Sequence, residues 1–122
     1  MASLDMSGPY NLNEETVELL VENKIGNYAL GYVDKNNTFI VRYVGRVDTA
    51  NLSKRIKDHI EEYDDCDKFK FSYAKTSKEA FEKECINFHD FGGMEGSLHN
   101  SNHPDKPNNT NYKCPVTDCE EE

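Results

Sequence analysis

A small α+β domain is the fold class predicted for this 122-residue chain, and three observations carry that expectation. Short runs rich in β-branched and aromatic residues, at 26–33, 38–47 and 68–75, read as strands. Longer runs, at 13–24, 49–63 and 76–91, set apolar residues at helical spacing. From residue 94 the chain is polar and loop-like, with little apolar material. The order is α-β-β-α-β-α plus a polar tail, which predicts a three-stranded, mostly antiparallel sheet flanked by helices. The expected organisation is a flexible start over 1–12, one domain over 13–93 and a C-terminal tail over 94–122. A chain of this length suits a single domain.

Each element has a local reason. Asn13 is a helix N-cap for NEETVELLVENK, with Glu14 and Glu15 suited to the positive end of the helix dipole. GNYALGYV (26–33) puts Tyr28, Leu30 and Tyr32 on one side of a strand. DKNN (34–37) is turn chemistry, and it joins that strand to TFIVRYVGRV (38–47) as a hairpin. Asp48 or Thr49 opens the next helix, in which Leu52, Ile56, His59, Ile60 and Tyr63 recur at helical spacing. KFKFSYAK (68–75) alternates Phe69, Phe71 and Tyr73 with polar residues and reads as the third strand. Thr76 or Ser77 caps the last helix, and Gly92-Gly93 ends it.

Composition excludes several classes. No apolar run approaches the roughly 20 residues of a membrane helix. The start, MASLDMSGPY, lacks the charged-then-apolar layout of a signal peptide. A cytoplasmic, reducing setting is therefore expected, in which four cysteines point to a metal site before a disulfide framework. Hydrophobic residues are only 36%, but 7 Tyr and 6 Phe supply core material. The net charge of −9 argues against indiscriminate nucleic-acid binding. Basic residues nevertheless dominate two stretches, 38–60 and 68–83, and one phosphate-facing surface would follow if they share a face. An ordinary solvated acidic surface is the plainer reading of the same charges.

The residues that carry chemistry lie on the hairpin and the helices after it. Tyr28 stands in Gly26-Asn27-Tyr28 and Tyr43 in Tyr43-Val44-Gly45. Arg55 lies in the following helix with His59 four residues on, hence on the same face. Glu84 sits in the last helix. Taken singly, each is ordinary: a hairpin tyrosine is usually core, and a helical glutamate usually solvated. Together, and in this order, they resemble the GIY-YIG nuclease domain. The matching positions are GNY (26–28), YVG (43–45), Arg46, Arg55 with His59, Glu84 in KEAFEKECINF, and Asn100 in HNSNHP, with Asn102 two residues away. The resemblance spans about residues 26–102, and Asn27 departs from it by replacing an apolar middle residue.

The resemblance implies a metal-dependent endonuclease that hydrolyses phosphodiester bonds in DNA, or in RNA, in repair, recombination or defence. It implies Mg²⁺ or Mn²⁺ on Glu84, Arg55 on the non-bridging oxygens, and Tyr28 as general base or water-orienting group. Tyr43 would donate to phosphate or position water, assisted by His59. A phenol ionises near pH 10, so Tyr28 needs help from the metal or from a nearby cation to act as a base, and Arg46 and Arg55 are candidates for the cation. One metal is expected, since one carboxylate matches. The alternative is a non-catalytic nucleic-acid or protein-binding module that retains the fold. A third arrangement has a protein partner that supplies DNA affinity and specificity.

Cysteine spacing suggests a second metal. Cys85 and His89 are i and i+4 on one helix, and Cys114 and Cys119 form C-P-V-T-D-C in the tail. Together they make a tetrahedral set for structural Zn²⁺ that would pin the tail to the last helix, with His99 or His103 as alternatives to His89. Cys66 fits no set. Unrelated cysteines in a reducing compartment are the plain alternative. Glu84 and Cys85 are neighbours, so they point about 100° apart and both faces can be used.

Overall fold

The computed structural model describes residues 6–60, 62 and 66–90. Within them the elements run β1 (Ser7–Asn11), α1 (Glu14–Leu20), β2 (Gly26–Val33), β3 (Phe39–Val47), α2 (Leu52–Asp58), β4 (Lys68–Tyr73) and α3 (Ser77–Asp90). The fold is α+β, with one antiparallel sheet in the order β1-β4-β2-β3. No helix among the described residues is long and apolar enough to cross a membrane.

The sheet has four strands where three were expected. The additional strand, Ser7–Asn11, falls in the segment read as a flexible start. SGPYN has no alternating pattern, and its residues are largely exposed, so nothing in it announces a strand. Tertiary contacts supply what the pattern lacks. Tyr10 packs on Phe69 and Phe71 at 5.7 and 6.0 Å between ring centroids. An edge position also tolerates Pro9, which has no N–H to offer a ladder.

β2 is central, and its first six residues are buried. One sheet face carries Tyr28, Leu30, Val47, Phe69 and Phe71 and is covered by Val17 of α1 and Leu52 and Ile56 of α2. The other face carries Ala29, Val41 and Val44 and is covered by Phe88 of α3. The layers are thus helices, sheet, helix. A bulge between β2 and β3 divides them: Leu30 pairs with Tyr43 and Gly31 with Val41, so Arg42 is supernumerary. The bulge puts Tyr43 and Val41 on opposite faces despite their i, i+2 spacing.

Helix ends follow local chemistry. The Asn13 side chain accepts from the Thr16 N–H at 2.7 Å, the expected cap. α1 stops at Leu20 because Val21 adopts an extended backbone and buries its side chain. α2 begins at Leu52, not at Thr49, because the Asp48 carboxylate is held by Arg46 and is not available as a cap. Thr76 accepts from the Glu79 N–H at 3.1 Å and caps α3.

Candidate active site

β3 is an edge strand, and the site is built around its rim. In the register Tyr28 faces Gly45, Leu30 faces Tyr43 and Asn27 faces Arg46. Strand alternation therefore sends Tyr28, Tyr43 and Gly45 to the α2 side and Arg46 to the α3 side. A cleft of about 280 Å³ wraps this edge. Tyr28, Tyr43 and Arg55 form one wall and Arg46, Asp48 and Glu84 the other, with Gly45 between them.

Gly45 makes this geometry feasible. A Cβ there would stand less than 3.0 Å from Cε1, Cζ and Oη of Tyr28. Without that atom, the Tyr28 ring crosses the neighbouring strand and carries its hydroxyl toward the edge. The ring is 2% exposed. Tyr43 stacks beside it, with centroids 6.1 Å apart and planes 20° apart. The Tyr28 hydroxyl is 2.8 Å from His59 Nε2, and His59 Nδ1 is 2.8 Å from Glu62 Oε1. His59 also packs on Tyr43 at 4.9 Å. Burial, then the Tyr43 neighbour, raises the Tyr28 phenol well above its ordinary value, while Arg55 pulls the other way. Burial and the Glu84 charge also raise Tyr43. Among the protein's own groups, desolvation outweighs the pull of Arg55 on Tyr28.

The opposite wall is an ion cluster. Arg46 Nε donates to Asp48 Oδ1 at 2.8 Å and Nη2 to Oδ2 at 3.3 Å, while Nη1 donates to Glu84 Oε1. Its guanidinium lies 5.1 Å from the centre of the Phe81 ring. Burial would lower the Arg46 pKa, but hydrogen bonds and charge from Asp48 and Glu84 raise it instead. Arg46 is therefore committed to two carboxylates. Arg55 is exposed on α2, lines the cleft and forms no ion pair among the described residues. An exposed guanidinium at the cleft rim presents a fork whose geometry suits an anion.

Glu84 is 8% exposed and is presented by α3. Asn27 anchors the same helix: its Nδ2 donates to the Ala80 carbonyl at 2.8 Å. This explains an amide at the middle of GNY, where it ties the central strand to the turn of α3 that precedes Glu84.

The sequence-derived residues Tyr28, Tyr43, Arg46, Arg55, His59 and Glu84 are brought together here. Asn100, Cys114 and Cys119 lie outside the described residues, as does the side chain of His89. Cys85 is fully buried on α3. Asp48 and Glu62 were not singled out for the site. Asp48 carried a signal, since it follows Arg46 at strand spacing and shares its face. Glu62 is three residues after His59, a separation that meets on one helical turn. Compared with models of protein families, curated proteins and solved structures, the chain shows no match.

Proposed function

We propose that this chain is a metal-dependent endonuclease of GIY-YIG type that hydrolyses phosphodiester bonds in DNA, with RNA as the other substrate to be tried. The observation that carries the reading is the convergence of Tyr28, Tyr43, Arg46, Arg55 and Glu84, from four separate elements, on one cleft at the sheet edge. Arg55 holds the non-bridging phosphate oxygens with fixed donors. Tyr28 and Tyr43 orient the attacking water and the phosphate. Arg46 fixes Glu84 in place.

The donor set suits a hard divalent cation. Mg²⁺ keeps several waters and takes one or two carboxylates plus substrate phosphate, and Glu84 with Asp48 on one wall of an open cleft matches that need. When bound, such an ion neutralises phosphate charge and polarises the scissile group. The same proposal includes a structural Zn²⁺ on Cys85, His89, Cys114 and Cys119, supported by the chemistry of the four ligands and by the burial of Cys85. Metal analysis of protein never exposed to chelator decides it: well under one equivalent removes the zinc.

The test of function is cleavage of duplex, single-stranded, branched and RNA substrates with Mg²⁺ or Mn²⁺, and then with EDTA. Metal-dependent cutting that is lost in Glu84→Ala supports the reading, and cutting that survives both EDTA and Glu84→Ala overturns it. One observation favours a second reading, a nucleic-acid or protein-binding module that retains the fold. Glu84 is already paired with Arg46, and burial raises both phenols. Binding without cleavage on every substrate, with or without a partner protein, would establish that reading.

A further inference from the structure

Glu62 lies outside the cleft lining, yet it ends a continuous hydrogen-bonded chain that begins there. Tyr28 Oη meets His59 Nε2 at 2.8 Å, and His59 Nδ1 meets Glu62 Oε1 at 2.8 Å. Exposure rises along the chain, from 2% for Tyr28 and 7% for His59 to 45% for the Glu62 side chain. An ionised carboxylate only accepts hydrogen bonds. His59 Nδ1 must therefore donate, and in a neutral imidazole this leaves Nε2 as the acceptor. With the imidazole neutral, the Tyr28 hydroxyl then donates to it.

We infer that Glu62 is a positioning residue, which locks His59 in the Nδ1–H tautomer and so makes His59 Nε2 the acceptor for the Tyr28 proton. The inference rests on the nuclease reading and assigns a proton route within it. As water attacks phosphorus, its proton passes to Tyr28 Oη while the Tyr28 proton passes to His59 Nε2. The water oxygen bonds to phosphorus, the bond to the leaving oxygen breaks, and that oxygen takes a proton from solvent. Tyr28 ends neutral, as it began. His59 ends as an imidazolium facing the Glu62 carboxylate and returns its proton to solvent at the exposed end. A buried phenol with no charged state to maintain suits a relay better than a stored phenolate.

The full chain, the Glu62→Ala variant and the Glu62→Gln variant are compared by ¹⁵N NMR of the His59 ring and by cleavage kinetics. Denaturant unfolding confirms that each variant folds, which the half-exposed position of Glu62 favours. Wild type should show the proton on Nδ1. Glu62→Ala should shift the population toward the Nε2–H form and lower kcat about tenfold or more with KM unchanged, part of the 10²–10⁴ that general base catalysis supplies. Glu62→Gln keeps an acceptor for Nδ1 and should restore the tautomer and most of kcat. A wild-type proton on Nε2, a Glu62→Ala ring with an unchanged tautomer, or a shifted tautomer with unchanged kcat would each overturn the inference. The ring nitrogens are read without turnover. Absence of wild-type cleavage therefore removes the nuclease reading, and the proton route with it, as a result separate from the tautomer.

Discussion

The ring of Tyr28 lies across Gly45, its partner in the β2–β3 register, so one residue's missing side chain sets where the other's hydroxyl arrives. The two tripeptides that hold these residues are therefore a single packing unit. Tyr28 needs a strand beside it with nothing above the backbone at that point.

Gly45→Ala should break this unit. The new methyl would meet the ring within 3.0 Å, and overpacking of this kind costs about 1–3 kcal/mol. The Tyr28 ring would have to lift away from His59. The expected result is a lower denaturant midpoint together with lost cleavage, and an unchanged midpoint would show that the ring yields easily.

The ion cluster predicts an asymmetry. Glu84→Ala leaves Arg46 with Asp48 as a partner, whereas Arg46→Ala leaves two carboxylates facing each other on one wall. Removing the shared cation takes a charge-assisted hydrogen bond from each of two acids, at a cost of about 2 kcal/mol or more here. Urea unfolding should find Arg46→Ala clearly less stable than Glu84→Ala. Equal stabilities would show that the two acids are independently solvated.

The tyrosines predict an alkaline limit. Burial raises Tyr28 above its ordinary 10.0 and raises Tyr43 as well. Above that pH the unfolded chain gives up phenol protons that the folded chain keeps, so stability falls as pH rises. The contribution is fully present below pH 10 and is lost above it, with a limiting slope of about 1.4 kcal/mol per pH unit for Tyr28. Denaturant midpoints between pH 9 and 11.5 should fall, and Tyr28→Phe should flatten the fall while costing about 1 kcal/mol at pH 7 through its lost hydrogen bond.

Asn27 links the central strand to α3 through the Ala80 carbonyl. Asn27→Ala should cost about 1–3 kcal/mol, from the lost bond and the volume removed. Its effect on cleavage should come through Glu84 and so appear mainly as a weaker apparent affinity for Mg²⁺. A stability loss with an unaltered Mg²⁺ requirement would separate the helix anchor from the site.

Legibility in the sequence followed the strength of local pattern. Strand β2 over Gly26–Val33 agrees with its reading, and β3, β4 and α3 agree to within two residues, because each carries its own alternation or helical spacing. β1 was invisible because its strand character comes from pairing with β4 and from Tyr10 against Phe69. The start of α2 was placed early because Asp48 is a good cap by type, and only the folded chain reveals that Arg46 has taken its carboxylate. The candidate site residues could be named from motif and order. Their pairing could not, since Arg46–Glu84 joins positions 38 residues apart and Tyr28–His59 joins positions 31 apart.

The cleft draws on two separate apolar clusters. The one beneath α1 and α2 holds Tyr28 and supports Tyr43, while the smaller one, with Ala29, Val41, Val44 and Phe88, holds α3. Proteins open locally in cooperative units whose free energies fall below that of global unfolding. A transient lift of α3 would carry Glu84 away while the tyrosine wall stayed assembled. On the nuclease reading, turnover would then report how often the smaller layer is closed, and an amino-acid change in that layer would lower activity by more than its effect on global stability alone accounts for.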